Sequence, residues 1–261
     1  MKTIFNFLWV GYGGPNEKFW NREALYNSYN RMHIPINGQA TAVIGSREYK
    51  MTVGNMYLLP SHSKISFRAD TPNYRHLYVD FYVSPFILDE EVKSVRLEEH
   101  GTLESFATLF LRLMEEEGNN KPIQFNHQAM PRYLEHFIKS FVICFMSKAD
   151  VQLLQNHKLA DAISYIYANY DQEISNESIA KAIYIHPRHL TRIFNEELKM
   201  TPHQFLTEYR INMAMNMLEE GAQVKDACYR CGFQNLNAFR QAFKRMNYVT
   251  PSGYIRRTKK E

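Results

Sequence analysis

Cysteine is scarce in this 261-residue chain: Cys144, Cys228 and Cys231 are all it has. A low, odd count cannot build a disulfide framework. Long apolar runs are also missing. No stretch approaches the about 18 uninterrupted apolar residues of a membrane span. The opening MKTIFNFLWVGYGG carries one lysine and a short apolar run rich in aromatic residues and glycine, which suits a first β-strand better than a signal peptide. Together these absences predict a cytoplasmic protein. Charge is neither lacking nor in large excess. Charged residues are 22% and hydrophobic residues 45% of the chain, a balance that excludes global disorder.

At roughly 150 residues per domain, the length predicts two domains. The net charge of +4 is unevenly placed: residues 1–150 carry 16 basic and 16 acidic side chains, and residues 151–261 carry 15 and 11. A neutral half followed by a mildly basic one points to a polyanion partner for the second.

Residues 1–85 read as short strands: Ile4–Val10, Met32–Ile36, Thr41–Ile44, Tyr49–Val53, Met56–Leu59, Ile65–Phe67 and Leu77–Val83. Turn pairs such as Asn37-Gly38, Gly45-Ser46, Gly54-Asn55 and Pro60-Ser61 separate them, the pattern of a sandwich or barrel. Helical spacing follows, at Leu103, Phe106, Ala107, Phe110, Leu111 and Met114. A second helix is predicted from about Phe125 to Lys148, with an apolar face wide enough to pack on the barrel or on a second copy of the chain. Residues 149–157 are the expected junction. Along 76–81, alternation puts His76, Tyr78 and Asp80 on one face and Leu77, Val79 and Phe81 on the other. The apolar set suits the layer under the helices. His76 and Tyr78 suit either the wall of a pocket for a hydroxylated ligand or satisfied polar groups of a core.

The second half repeats itself. Leu190–Phe194 matches Phe239–Phe243, and Met200-Thr201-Pro202 matches Val249-Thr250-Pro251, both at an offset of 49; Ile179-Ala180 matches Ala227-Cys228 at 48. Each unit reads as a short helix, a tight turn and a second helix. Such a motif needs a small residue where its helices cross, here Ala180 or Cys228, and a turn residue free of Cβ strain, here Gly232 in the second unit. Leu190/Phe194 and Phe239/Phe243, spaced i, i+4, anchor the second helices. That leaves Arg188, Thr191 and Arg192 outward in one unit and Asn237, Arg240 and Gln241 in the other, with Lys244 and Arg245 further along. Arginine, asparagine and glutamine make paired hydrogen bonds to base edges; lysine and arginine also meet phosphate. Between the units runs a helix of about Pro202–Glu219, apolar on several sides, a strut some 27 Å long.

The segment 224–257, with Gly232-Phe233, Phe239, Phe243-Lys244, Thr250-Pro251 and Tyr254, resembles the signature of the AraC/XylS regulators, and 174–210 resembles their upstream helix-turn-helix. Cys228 and Cys231 depart from the small residues usual there, and Ile255 separates Tyr254 from Arg256. As a metal or redox motif, Cys228-x-x-Cys231 lacks a second pair; crossing of helices explains both residues. Residues 31–85 resemble the cupin-like sensor domain that precedes this domain in many such regulators. The resemblance implies an α+β chain: a cupin-like β-barrel with helices at 1–150, for effector binding and dimerisation, then an all-α DNA-binding domain of two helix-turn-helix units at 157–261. It implies double-stranded DNA, a small-molecule effector (often a sugar, in some relatives a fatty acid), RNA polymerase and a homodimer as partners, and it adds Asn37 and Phe67 to His76 and Tyr78 as pocket residues. Trp9, Trp20 and Arg31 are further candidates. A regulator controlled by a protein partner stays open. A cupin enzyme would need a clustered metal set, and His33, His62 and His76 are far apart in sequence. A DNA-repair alkyl transferase would need a cysteine-bound zinc, and this half has only Cys144. The expectation is a regulator with no cofactor and no metal.

Overall fold

The structure, a computed structural model, describes residues 4–13, 25–27, 29–61, 63–84, 87, 91–117, 123–126, 130–153, 156–219 and 221–258. The chain divides into two compact units, Met1–Leu153 and Leu154–Glu261.

The described strands of the first unit are β1 (Ile4–Gly13), β2 (Leu25–Asn27), β3 (Asn30–Asn37), β4 (Gln39–Ile44), β5 (Arg47–Thr52), β6 (Asn55–Leu59), β7 (Ser63–Ala69), β8 (Arg75–Ser84), β9 (Lys93–Arg96) and β10 (Ile123–Asn126). They pair antiparallel in two sheets, ordered β10-β1-β8-β3-β6-β9 and β2-β7-β4-β5. Period-two alternation decides what each face meets. Met32, Ile34, Met56, Leu58, Leu77, Val79 and Phe81 point to one side of the larger sheet and form one core with α1 (Gly101–Glu117) and α2 (Arg132–Lys148). The helices supply Leu103, Ala107, Phe110 and Met114, and Leu134, Ile138, Phe141 and Phe145, each set at three- and four-residue spacing. On the other side, Tyr57 and Leu59 join Ala40, Ala42, Met51, Ile65, Phe67 and Tyr74 in a core between the sheets. The layers are therefore helices, six strands, four strands. The barrel expected from the pattern is an open pair of facing sheets with separate edges, compatible with a cupin-like fold.

The expected helix from Phe125 is shorter. Ile123–Asn126 pairs with β1 as an edge strand, and α2 starts at Arg132 behind Pro131, whose backbone is extended (φ −58°, ψ 140°). Strands β2 and β9 have no counterpart in the strand pattern of the sequence. Both are too short, at three and four residues, to show alternation.

The second unit is helical: α3 (His157–Asn169), α4 (Asn176–Ala182), α5 (Pro187–Leu198), α6 (Pro202–Glu219), α7 (Val224–Arg230), α8 (Leu236–Asn247) and α9 (Pro251–Thr258). The internal repeat reappears in the backbone. Helices α4 and α7 correspond, as do α5 and α8, and Lys199 and Tyr248 end the latter pair in the same left-handed conformation, φ 55° and 57°. The turns correspond too, with Tyr184 at φ 57° and Gly232 at φ 81°. Side chains close the helix starts as their types dictate. His186 accepts from the Arg188 amide (3.2 Å), ahead of Pro187. Asn235 accepts from the Asn237 and Ala238 amides at 2.8 and 3.0 Å. Thr201 and Gln204 form a reciprocal capping box at 2.8 and 3.2 Å.

The two turn residues behave oppositely. A Cβ on Gly232 would stand 2.5 Å from the Tyr170 carbonyl oxygen, so glycine is required there. Tyr184 holds the same left-handed turn with its ring 90% exposed, a conformation that costs a non-glycine residue about 1–2 kcal/mol. We expect Tyr184→Gly to raise the stability of the second unit by about 1 kcal/mol, after the extra chain entropy of glycine, and Gly232→Ala to lower it by about 2 kcal/mol or more. Chemical denaturation followed by circular dichroism measures both. A destabilised Tyr184→Gly would contradict this account of the turn.

Candidate nucleic-acid interface and effector site

Helices α5 and α8 are each held by one buried stripe. Leu190, Ile193, Phe194 and Leu198 bury one face of α5, and Phe239, Ala242 and Phe243 bury the matching face of α8. Phe194 packs edge-on against Phe205 of α6 at 5.7 Å between ring centres; Phe243 does the same with Tyr254 of α9 at 5.6 Å. With that stripe fixed, helical geometry leaves the polar stripe outward. Arg188, Arg192, Asn237, Arg240, Gln241, Lys244 and Arg245 are all exposed; Thr191 is half-buried and its hydroxyl donates to the Pro187 carbonyl (3.2 Å). Arg192 is held by Glu196 one turn on, at 2.9 and 3.0 Å, an exposed pair worth little in water and easily exchanged for a stronger anion. Lys244 and Arg245 lie in the last turn of α8, where they also favour the negative end of the helix.

The first unit gathers polar groups between its sheets. The rings of His33 and His76 stack 4.8 Å apart and nearly parallel, Phe67 stacks on His33 at 5.4 Å, and Tyr74 on His76 at 5.2 Å. Tyr78 lies beside both histidines at 6.4 and 5.5 Å, on Gly11 of β1, where a Cβ would meet its ring at 2.4 Å. Next to this column Arg31 forms a two-pronged ion pair with buried Asp80. Its guanidinium also lies over the rings of Tyr78, Tyr29 and Phe67 at 5.4, 5.6 and 5.9 Å. Burial opposes the guanidinium's charge, but Asp80 outweighs it and Arg31 is raised above its ordinary value. Burial raises the Asp80 carboxyl, and Arg31 pulls it back in part. Burial, then Arg31 and Arg75, lowers His76 to about 3; burial, then His76 and Arg31, lowers His33 well below its usual range. Both rings are neutral near pH 7.

The structure thus brings together Phe67, His76 and Tyr78 of the predicted pocket and leaves Asn37 outside. Asn37 is exposed at the end of β3, accepting from Asn73 at 3.2 Å. Trp9 is half-buried on β1; Trp20 and His62 lie outside the described residues. A cleft of about 600 Å3 opens elsewhere, on the helix-bearing side, between Ile34–Ile36 of β3, the Val53–Asn55 turn and Glu104, Ala107 and Leu111 of α1. Sequence reasoning missed His33 and ranked Arg31 low. The signal was the alternation Arg31-x-His33, which lies across from His76-x-Tyr78-x-Asp80 in the register of β3 with β8. Cys228 and Cys231 are buried, Cys231 with its sulfur 3.7 Å from that of Met217. Burial raises both thiols, Cys231 to about 12, so neither offers a thiolate. Among the described residues no three metal-ligating side chains come together and no helix is long and apolar enough to cross a membrane.

The neutral histidine stack has a consequence for acid stability. An unfolded chain protonates its histidines near pH 6.5, and the folded column does not. The stability tied to a depressed histidine is complete above about pH 6.5 and is lost as pH falls, toward about 3 for His76, at up to about 1.4 kcal/mol per pH unit per ring. His76→Phe keeps a ring in the column and removes the titration. We expect the stability of the first unit between pH 6.5 and 4 to fall less steeply in that variant than in the wild type. The comparison cancels contributions from carboxylates other than Asp80 beside it. Denaturation midpoints at several pH values test this, and equal slopes would contradict it.

Residues 179–257 match the family model described as a helix-turn-helix domain. Over 235 residues the chain is 22% identical to the lactose operon transcription activator of Staphylococcus xylosus, covering 85% of this chain and 82% of that protein. It is 30% identical over 104 residues to the HTH-type transcriptional regulator YijO of Escherichia coli (strain K12), but covers only 37% of its length. Among solved structures, ToxT from Vibrio cholerae O395 superposes with a TM-score of 0.60 at 14% identity, over 98% of each chain. Unsaturated fatty acid bound ToxT from strain SCE256 gives 0.57 at 14%, over 97% of this chain and 94% of that one. At that identity the likeness is one of fold. Residues 179–257 therefore form a helix-turn-helix domain, and the proteins to which the chain is similar are transcription regulators.

Proposed function

We propose that this chain is a cytoplasmic, sequence-specific DNA-binding transcription regulator, not an enzyme, in which α5 and α8 each enter a major groove and residues 1–150 sense a small organic ligand. The observation that carries the reading is the duplicated recognition helix. Two helices with matching caps, anchors and left-handed ends present basic and amide side chains, joined by an 18-residue helix. At 1.5 Å per residue that strut is about 27 Å long, near the ~34 Å between successive major grooves on one face of B-DNA. Arg188, Thr191, Arg192, Asn237, Arg240 and Gln241 face bases in this reading; Lys244 and Arg245 meet phosphate. RNA polymerase and a second copy of the chain are the further partners it entails.

For the effector, the polar column of His33, His76 and Tyr78 beside Arg31 and Asp80 favours a hydroxylated molecule over a purely aliphatic one. Neutral imidazoles and a phenol can each donate and accept, and aromatic faces pack on the apolar faces of a sugar ring. The similar Staphylococcus xylosus protein is by name an activator of a lactose operon. Thermal shift measurements against sugars and polyols test the reading. The response should vanish in Tyr78→Ala and persist in Asn37→Ala. Equal responses in both variants would contradict the site.

The DNA reading separates two classes of variant. Losing a paired base contact costs about 1–3 kcal/mol and relaxes preference at one position, whereas losing a phosphate contact weakens all sequences alike and lowers the salt slope by about one. Arg192→Ala and Gln241→Ala are expected to alter sequence preference, and Lys244→Ala mainly the salt dependence. Binding titrations on matched and mutated duplexes at several salt concentrations check this. If Arg192→Ala and Gln241→Ala weakened every sequence equally, the assignment of the base-reading faces would fail.

A further inference from the structure

Arg210 is half-buried on the helix that joins the two helix-turn-helix motifs, between buried Tyr209 and buried Ile211. Its Nε donates to the Tyr170 carbonyl at 2.7 Å and its Nη2 to the Gln172 carbonyl at 2.6 Å. Both carbonyls belong to the loop that leaves α3, which packs on α4 and α5 of the first helix-turn-helix. The same guanidinium lies 5.8 Å from the ring centre of Phe233, in the turn of the second helix-turn-helix. That turn comes close enough that a Cβ on Gly232 would stand 2.8 Å from Arg210 Nη2 and 2.5 Å from the Tyr170 oxygen. One side chain therefore touches the loop before the first helix-turn-helix and the turn inside the second.

We infer that Arg210 is a positioning residue that sets the second helix-turn-helix against the first, so that α5 and α8 meet DNA at one fixed spacing. The inference rests on the two-groove reading above. The chemistry suits the task. A planar guanidinium donates along two fixed directions, and hydrogen bonds from a charged donor are roughly twice as strong as neutral ones. A lysine in its place offers a single mobile point of charge. Apolar packing of α6 holds the two helix-turn-helix motifs together in any case: Phe205 meets Phe194, and Met217 meets Cys231. What Arg210 adds is the angle and register between them, which no apolar contact fixes as sharply.

The test uses the full chain. Duplexes are selected from a random pool with wild type, Arg210→Lys and Phe233→Leu, and affinities are measured for single half-sites, for paired half-sites, and for paired sites with one base pair inserted. Wild type is expected to select paired half-sites at one spacing, with the insertion costing on the order of tenfold in affinity. Arg210→Lys is expected to select the same half-sites at several spacings, to bind a single half-site within about twofold of wild type, and to lose most of the insertion penalty, to below about threefold. Phe233→Leu should move the same way by less, and it decides the matter if Arg210→Lys does not fold. An unchanged insertion penalty in a folded variant, or an equal loss of affinity for single and paired sites, overturns the inference. A wild type that selects only single half-sites overturns the two-groove reading instead, and this inference with it.

Discussion

A helix of 18 residues with apolar side chains on every side has no face to give to water. Phe205, Leu206, Tyr209, Ile211, Met213, Ala214, Met217 and Leu218 of α6 are all buried, and each larger one is worth about 1.5–3 kcal/mol only while it stays so. Covering all sides of one helix takes two bodies, and the duplicated helix-turn-helix supplies them: α6 packs on α5 on one side and on α7, α8 and α9 on the other. The second unit is organised around that need. A single helix-turn-helix would leave half of α6 exposed, so the repeat and the strut require each other.

From this constraint the chemistry of the surface follows. Once Leu190 and Phe194, and Phe239 and Phe243, are committed to the interior, the rotation of α5 and α8 is fixed and so is the identity of every outward residue. Their caps fix where each helix begins, and with it the level at which Arg188 or Asn237 stands. Glu196 pairs with Arg192 across one turn of α5, on the exposed face. In the first unit the same logic of commitment runs through strand alternation: helices take Leu77, Val79 and Phe81, which turns His76, Tyr78 and Asp80 toward the second sheet.

Much of this was legible in the sequence because the signals were local and repeated. Thr201-Pro202 and Thr250-Pro251, the i, i+4 apolar anchors and the small residues Ala180 and Cys228 each carry their meaning within a few positions, and each occurs twice. Strand alternation at 76–81 was legible for the same reason. What was not legible depends on partners distant in the chain. Phe125 fits a helical stripe as well as an edge strand until β1 is seen beside it. His33 is one histidine among several until the register of β3 with β8 sets it opposite Tyr78, with its ring stacked on that of His76. Arg210 looks like a solvated helix charge until the Tyr170 and Gln172 carbonyls, 40 and 38 residues away, turn out to be its partners. Tyr184 is hidden differently: its left-handed backbone is betrayed only by alignment with Gly232, and a tyrosine at that place argues against the turn on propensity alone.

If one chain presents two recognition helices to one face of a duplex, hydroxyl-radical and methylation footprinting of the purified protein on a selected duplex should show it. Two protected major-groove segments are expected on the same face, their centres about 10 base pairs apart. A single protected segment, or two on opposite faces of the helix, would contradict it.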